Sequence, residues 1–251
     1  MLTPSSTTAE RAVREMLFRG REQELNALYP RLLVLLDDHW IGMEEGLAAV
    51  QKLRSCHFRM TIWASESIMR RLGPKGIAEK TGVDSIIPVG DFTDSFQIEK
   101  GCEVIFLPVL NFSMLSKLSK LDDAEPFSRA VIQGLCSGKK VAALTAGIDS
   151  QLPEWSSRGL TQPPAMQQRL QEMLREIKSL GVNMLRMDQI SSLGAETTRR
   201  KTLITAEDVT LAYKQGERIL NAQGKVVITP LAKDLASQYG MIIHESGHMP
   251  G

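Results

Sequence analysis

The chain predicts an α/β protein, a doubly wound and mainly parallel sheet of Rossmann-like type with a small C-terminal α/β appendage. Strand-length apolar runs without polar alternation predict it, together with the helical patterns between them and the Gly and Pro that separate the two. Arg31 to Leu36 is nearly all aliphatic, as a strand buried on both faces requires. Met43 to Leu53 carries Leu47, Val50 and Leu53 on one helical face, and His57 to Ala64 returns to strand. Ser67 to Leu72 reads as a helix that Gly73-Pro74 ends, and Ser85 to Val89 as a short strand. Glu103 to Leu107 is a strand closed by Pro108, followed by helices over Ser113 to Leu121 and Pro126 to Leu135. Lys140 to Leu144 is a strand, Gln167 to Leu180 an amphipathic helix stopped at Gly181, and Val182 to Leu185 a final strand.

The expected organisation is an amphipathic helical extension over 1–29, a main domain over 30–190, a polar linker over 191–201 and a C-terminal segment over 202–251. In the extension, Thr8 is a plausible N-cap and Ala12, Val13, Met16 and Leu17 form one stripe, resumed by Leu25 and Leu28 after Gly20. Such a helix docks on its own domain or serves as a detachable tag for a partner groove. With 251 residues and 43% hydrophobic side chains, the chain has ample material for a core. A formal charge of +1 offers no excess of cations for nucleic acid. No apolar run reaches membrane-spanning length, and the N-terminus lacks a secretory pattern. Cys56, Cys102 and Cys136 are scattered, which suggests neither a disulfide framework nor a cysteine zinc site and favours the reducing cytoplasm.

In such a fold, ligands bind beyond the carboxyl ends of the strands. The segments expected there are 37–42 (DDHWIG), 64–67 (ASES), 108–113 (PVLNFS) and 145–149 (TAGID). Ser or Asn stands at the start of two of the following helices, where free N–H groups favour an anion. Neither G-x-G-x-x-G nor the P-loop motif occurs, so a single phosphate held by hydroxyls and helix N-termini is the remaining nucleotide-like option. Ordinary helix capping by these residues is the plain alternative.

The stretches 61–67 (TIWASES) and 105–118 (IFLPVLNFSMLSKL) carry a resemblance to the flavoprotein family of phosphopantothenoylcysteine decarboxylase, the lantibiotic decarboxylases and the second dipicolinate synthase subunit. The second stretch resembles that family's P-A-S-A-N-T loop and following A-K-L. The resemblance implies bound FMN and a homo-oligomer, trimer-based, with the flavin near a subunit interface. It also implies that Ser65, Ser67, Asn111, Ser113 and Ser116 hold phosphate or ribityl groups, with His39 and Asp149 as catalytic candidates and Trp40 against the ring; the alternatives are a His39 that faces solvent from its turn and a Trp40 that closes the oligomer interface. The sequence departs from the family in several places; registered on Lys117, Ser113 falls where the family has Asn, and Asn111 falls two places earlier. Its first turn is acidic rather than rich in Gly and Ser, and Met69-Arg70-Arg71 stands where the decarboxylases place a catalytic His. Ala146-Gly147-Ile148-Asp149 replaces their P-x-M-N loop, with a carboxylate that would repel a substrate carboxylate.

Beyond the linker, 204–209 (ITAEDV) and 228–236 (ITPLAKDLA) resemble a segment found beside bacterial-microcompartment enzymes. That implies shell or cargo proteins as partners and a place inside a microcompartment. Residues around 221–224 (NAQG) read as a turn between two further elements. His244-Glu245-Ser246-Gly247-His248 matches H-E-x-x-H, but it follows a strand and contains Gly, so no metal site is expected. Three functions follow: an FMN-binding redox or electron-transfer protein, a flavin-dependent decarboxylase with relocated catalytic groups, and a non-catalytic microcompartment adaptor.

Overall fold

In the computed structural model of this chain, the described residues are 16, 18–20, 25–26, 28–56, 58–91, 101–199, 202–204, 206–214, 219–223 and 226–246. Most of the 1–29 extension therefore lies outside them. Of its stripe, Met16 is exposed and Leu25 is buried. The main domain runs β1 (Arg31–Leu36), α1 (Met43–Leu53), β2 (Arg59–Ala64), α2 (Glu66–Thr81), β3 (Ile86–Pro88), β4 (Val104–Leu107), α3 (Phe112–Ser119), α4 (Pro126–Cys136), β5 (Lys140–Leu144), α5 (Pro153–Ser157), α6 (Pro164–Ser179), β6 (Val182–Leu185) and α7 (Ile190–Arg199).

Strand order is β3-β2-β1-β4-β5-β6, and every pairing is parallel. The chain winds outward from β1 to β3, returns to lay β4 on the other edge of β1, and winds outward again to β6. Alternate residues of β1 explain its unbroken apolar run. Leu32, Val34 and Leu36 pack with Leu47, Val50, Ile68 and Ile77 beneath α1 and α2, while Leu33 and Leu35 pack with Met114, Leu118, Val131 and Ile177 beneath α3, α4 and α6. Each fully buried aliphatic side chain contributes roughly 1.5–3 kcal/mol, so this strand anchors both layers. The doubly wound parallel sheet is thus the architecture of the protein.

Three expectations need correction. Gly73, at φ 65° and ψ 169°, ends the first helical piece of α2 as expected, but Pro74 then opens a second piece, not expected from the sequence, that runs to Thr81. Proline suits that first helical position because its missing N–H has no partner there anyway. Residues 191–199 are not a linker but most of α7, whose Ile190 and Leu193 are buried in the core on the α1 side. Two apolar residues one turn apart suffice to dock an otherwise polar helix. Residues 221–223 are strand rather than turn, within β8.

The C-terminal segment comprises β7 (Thr202–Ile204), α8 (Ala206–Lys214), β8 (Ile219–Gln223), β9 (Val226–Ile228), α9 (Pro230–Tyr239) and β10 (Ile242–Ser246). β7 pairs with β9 and β8 with β10, both in parallel. Its small core is Ile204, Val209, Ala212, Ala232, Ala236 and Met241. Thr229 caps α9 by accepting from the Ala232 N–H at 3.1 Å, as its position before Pro230 predicts.

Candidate functional site

The winding direction reverses between β1 and β4, and the carboxyl ends of these two strands are where such an architecture ordinarily binds a ligand. Here these ends are tied across. Asn111 caps α3 by accepting from the Met114 N–H at 2.7 Å, and its amide donates to Asp37 Oδ2 at 2.7 Å. Asp37 Oδ1 accepts from the Asp38 N–H, and Asp38 pairs with Arg71 at 2.8 Å. Asn111 therefore spends both ends of its amide on the protein itself.

His39 does not face solvent. It is buried, and its Nε2–H donates to the Gly147 carbonyl at 3.2 Å, joining the turn after β1 to the turn after β5. Because a carbonyl only accepts, the proton belongs on Nε2. Burial lowers its pKa, against the opposing pull of that hydrogen bond and of Asp37, Asp38 and Glu154. The two turns touch so closely that a Cβ on Gly42 would lie 2.7 Å from Gly147 N.

An aromatic cluster covers this junction. Trp40 is 45% exposed and packs edge-to-face on Trp155 with ring centroids 5.2 Å apart, while His39 meets Phe112 at 5.3 Å. Trp155 is buried, and its Nε1–H finds no hydrogen-bond partner among the described residues. The sequence reading passed over α5, which carries both Trp155 and Glu154. Glu154 Oε2 accepts from the Gly42 N–H at 2.7 Å, and its other oxygen meets Arg158 at 2.6 Å. In the first turn of α1, Glu45 has its pKa raised by burial, then by Glu154 and Asp149. The only sequence signal for α5 was Pro153 at a helix start with an acid behind it.

Ser65 and Ser67 stand together at the start of α2, their Oγ atoms 2.9 Å apart. Leu36 and Ala64 are register partners, so Ser65 lies beside Asp37 at the sheet edge, and its N–H donates to the Leu36 carbonyl at 3.0 Å. An open depression of about 390 Å3 lined by Glu66, Met69, Arg70, Pro88 and Gly90 continues along this edge. Ser113 is exposed and accepts from Lys117 at 2.8 Å, and Ser116 is half-buried one turn further along α3. Asp149 Oδ1 accepts from the Gln151 N–H at 3.0 Å and so shapes its own turn. Trp40, His39 and Asn111 thus meet at the switch point, whereas Ser65 and Ser67 sit one strand away.

Among the described residues no group of His, Cys, Asp and Glu is arranged to hold a metal ion, and no helix is long and apolar enough to cross a membrane. His244, Glu245 and Ser246 lie in β10, and His248 is outside the described residues.

No protein-family model and no curated protein matches this sequence. Solved structures with a like fold include TvaF, described as an FMN-dependent cysteine decarboxylase of thioviridamide biosynthesis, at 11% identity and TM-score 0.49, covering 67% of this chain and 98% of that one. A dodecameric FMN-dependent UbiX-like decarboxylase from Escherichia coli O157:H7 is 14% identical, with TM-score 0.46 and coverage of 66% and 92%. MrsD from Bacillus sp. HIL-Y85/54728 is 6% identical, with TM-score 0.48 and coverage of 68% and 98%.

Proposed function

We propose that this chain is an FMN-binding flavoprotein that serves redox or electron-transfer chemistry, as a homo-oligomer associated with a bacterial microcompartment. The observation that carries the cofactor reading is the donor set at the start of α2. The hydroxyls of Ser65 and Ser67 stand 2.9 Å apart at the start of α2, with Ser65 also capping the helix through the Ile68 N–H, and with the other N–H groups of that turn they offer a seat for one phosphate. Arg71, one turn on, pairs with Asp38 and reduces the negative charge near this helix start, to which Asp37 and Glu66 also contribute.

From there the sheet edge leads past Asp37 to Trp40, whose half-exposed ring and Phe112 offer an apolar surface for the isoalloxazine. Ser113 and Ser116 are the proposed ribityl partners; Ser113 accepts from Lys117 and keeps its own proton to donate. Asn111 and His39 hold the turns in place, and Asp149 borders the ring. Bound flavin supplies the electron transfer, while the chain supplies position and electrostatics. Redox chemistry is favoured over decarboxylation because Asp149 stands in the turn after β5, where its carboxylate would repel a substrate carboxylate. The microcompartment association rests on the resemblance of 204–209 and 228–236, and on the amphipathic pattern near the N-terminus.

The test is reconstitution of the purified chain with FMN, followed by absorption and flavin fluorescence. Uptake with a shifted spectrum, weakened about tenfold or more by Ser65→Ala with Ser67→Ala, is the expected result. A colourless protein that takes up no FMN overturns the reading.

A further inference from the structure

The first two turns of α2 present one face toward the end of β3. Glu66, Met69 and Arg70 stand at positions i, i+3 and i+4 of that face, so their side chains lie together. Pro88 is the register partner of Ala64, two places ahead of Glu66, and with Gly90 it forms the opposite wall. Between the walls lies the open depression of about 390 Å3, within the roughly 300–1,000 Å3 of small-molecule pockets. Its two charges do not cancel. A Glu four residues before an Arg is the favoured order for an ion pair on a helix, and Glu154 and Arg158 make that pair at 2.6 Å. Glu66 and Arg70 have the same order and do not pair; among the described residues neither forms an ion pair at all. Arg70 Nε donates to the Glu66 carbonyl at 3.4 Å, which holds the guanidinium along the helix. Glu66 Oε1 reaches toward Gly90, where an added Cβ would stand 3.8 Å from it. One carboxylate and one guanidinium thus line the same depression, with the half-buried Met69 beside them and Pro88 opposite.

We propose that this depression is a binding site for a small zwitterion, an α-amino acid with an apolar side chain. The ligand's ammonium meets Glu66, its carboxylate meets Arg70, and its side chain lies on Met69 and Pro88. A ligand with a single charge satisfies one of the two protein groups and leaves the other without a partner, so the site selects for both charges on one molecule. The depression lies on the β3 side of Ser65 and Ser67, whereas the proposed flavin path leads from them the other way, past β1 to Trp40. The inference therefore does not rest on the flavin reading.

The test follows the NMR shift of the Gly90 amide in the full-length chain during titration with three ligands. These are L-leucine, leucinamide, which lacks the carboxylate, and N-acetyl-leucine, which lacks the ammonium. Leucine is expected to bind with a Kd of about 1 mM, and each analogue about fivefold more weakly. Arg70→Gln is expected to lose affinity for leucine and none for leucinamide; Glu66→Gln loses it for leucine and none for N-acetyl-leucine. Both side chains are exposed, so melting temperatures near wild type are expected for the two variants, and the ligand series on wild type decides if a variant does not fold. No saturable shift with leucine up to about 50 mM, far above that Kd, overturns the inference. Equal binding of the three ligands, or variants that weaken all three alike, overturns it too. Leucine binding in a chain that takes up no FMN sinks the flavin proposal and leaves this one standing. FMN uptake without leucine binding does the reverse.

Discussion

The Asn111 side chain bridges the two halves of the sheet: its carbonyl oxygen caps α3 at 2.7 Å while its amide holds Asp37 Oδ2 at 2.7 Å. One residue thus starts the helix that follows β4 and ties that helix to the turn after β1. Asn111→Ala is expected to lower unfolding free energy by about 2–3 kcal/mol, a lost cap plus a lost bond to a carboxylate. Asn111→Asp keeps a cap but faces Asp37 with like charge, so its loss shrinks as the solution is acidified toward the carboxyl range. Urea unfolding at two pH values separates the two effects.

Gly42 and Gly73 both have left-handed backbone, with φ 78° and 65°, yet only Gly42 also meets another turn. Gly73, with ψ 169°, lies in a region essentially confined to glycine, so Gly73→Ala is expected to cost about 1–3 kcal/mol from the conformation alone. Gly42→Ala adds a clash with Gly147 N at 2.7 Å. It should therefore cost clearly more, measured by the same denaturant titration.

His39 gives the fold a dependence on acid. Its imidazole is held neutral by burial below the usual 6.5, so the unfolded chain binds more protons between the folded value and 6.5. Stability contributed by this group is present above that window and falls as pH drops through it. Glu45 has the opposite sign: its raised pKa keeps a proton that the unfolded chain has released, so its contribution falls as pH rises above the usual 4.5. Replacing His39 by Gln, which keeps an N–H donor for Gly147, is expected to flatten the acid-side decline. Denaturation midpoints measured between neutral and mildly acid pH check this.

Trp155 and Trp40 touch, but they carry different loads. Trp155→Ala empties a buried site and is expected to cost roughly 3–5 kcal/mol. Trp155→Phe should cost far less than that, because the indole N–H it removes has no partner among the described residues. Trp40→Ala, at a position 45% exposed, is expected to leave stability nearly unchanged and to weaken flavin uptake if the ring stacks there. Thermal melts and FMN titration read these outcomes.

The sheet was legible because its periodicity is local. The run from Arg31 to Leu36, the stripe of Leu47, Val50 and Leu53, and the stop at Gly181 are each contained in a few consecutive residues. Ser65, Asn111 and Thr229 were legible as caps for the same reason, since a cap bonds within its own helix. Helix α7 was missed because its polar letters hide a two-residue apolar face that only the neighbouring core makes meaningful.

The sequence by itself determined the order of β1 to β6 and most of the helices between them, the capped helix starts and the acidic character of the first turn. Tertiary structure alone decided that Asp37 meets Asn111, that His39 reaches Gly147, and that Glu154 lies on Gly42, pairs separated by 74, 108 and 112 residues. Hydrophobic period and capping are short-range properties of the chain. Which carboxylate fills which helix end depends on how the winding reverses at β1 and β4, and no window of consecutive residues contains that geometry.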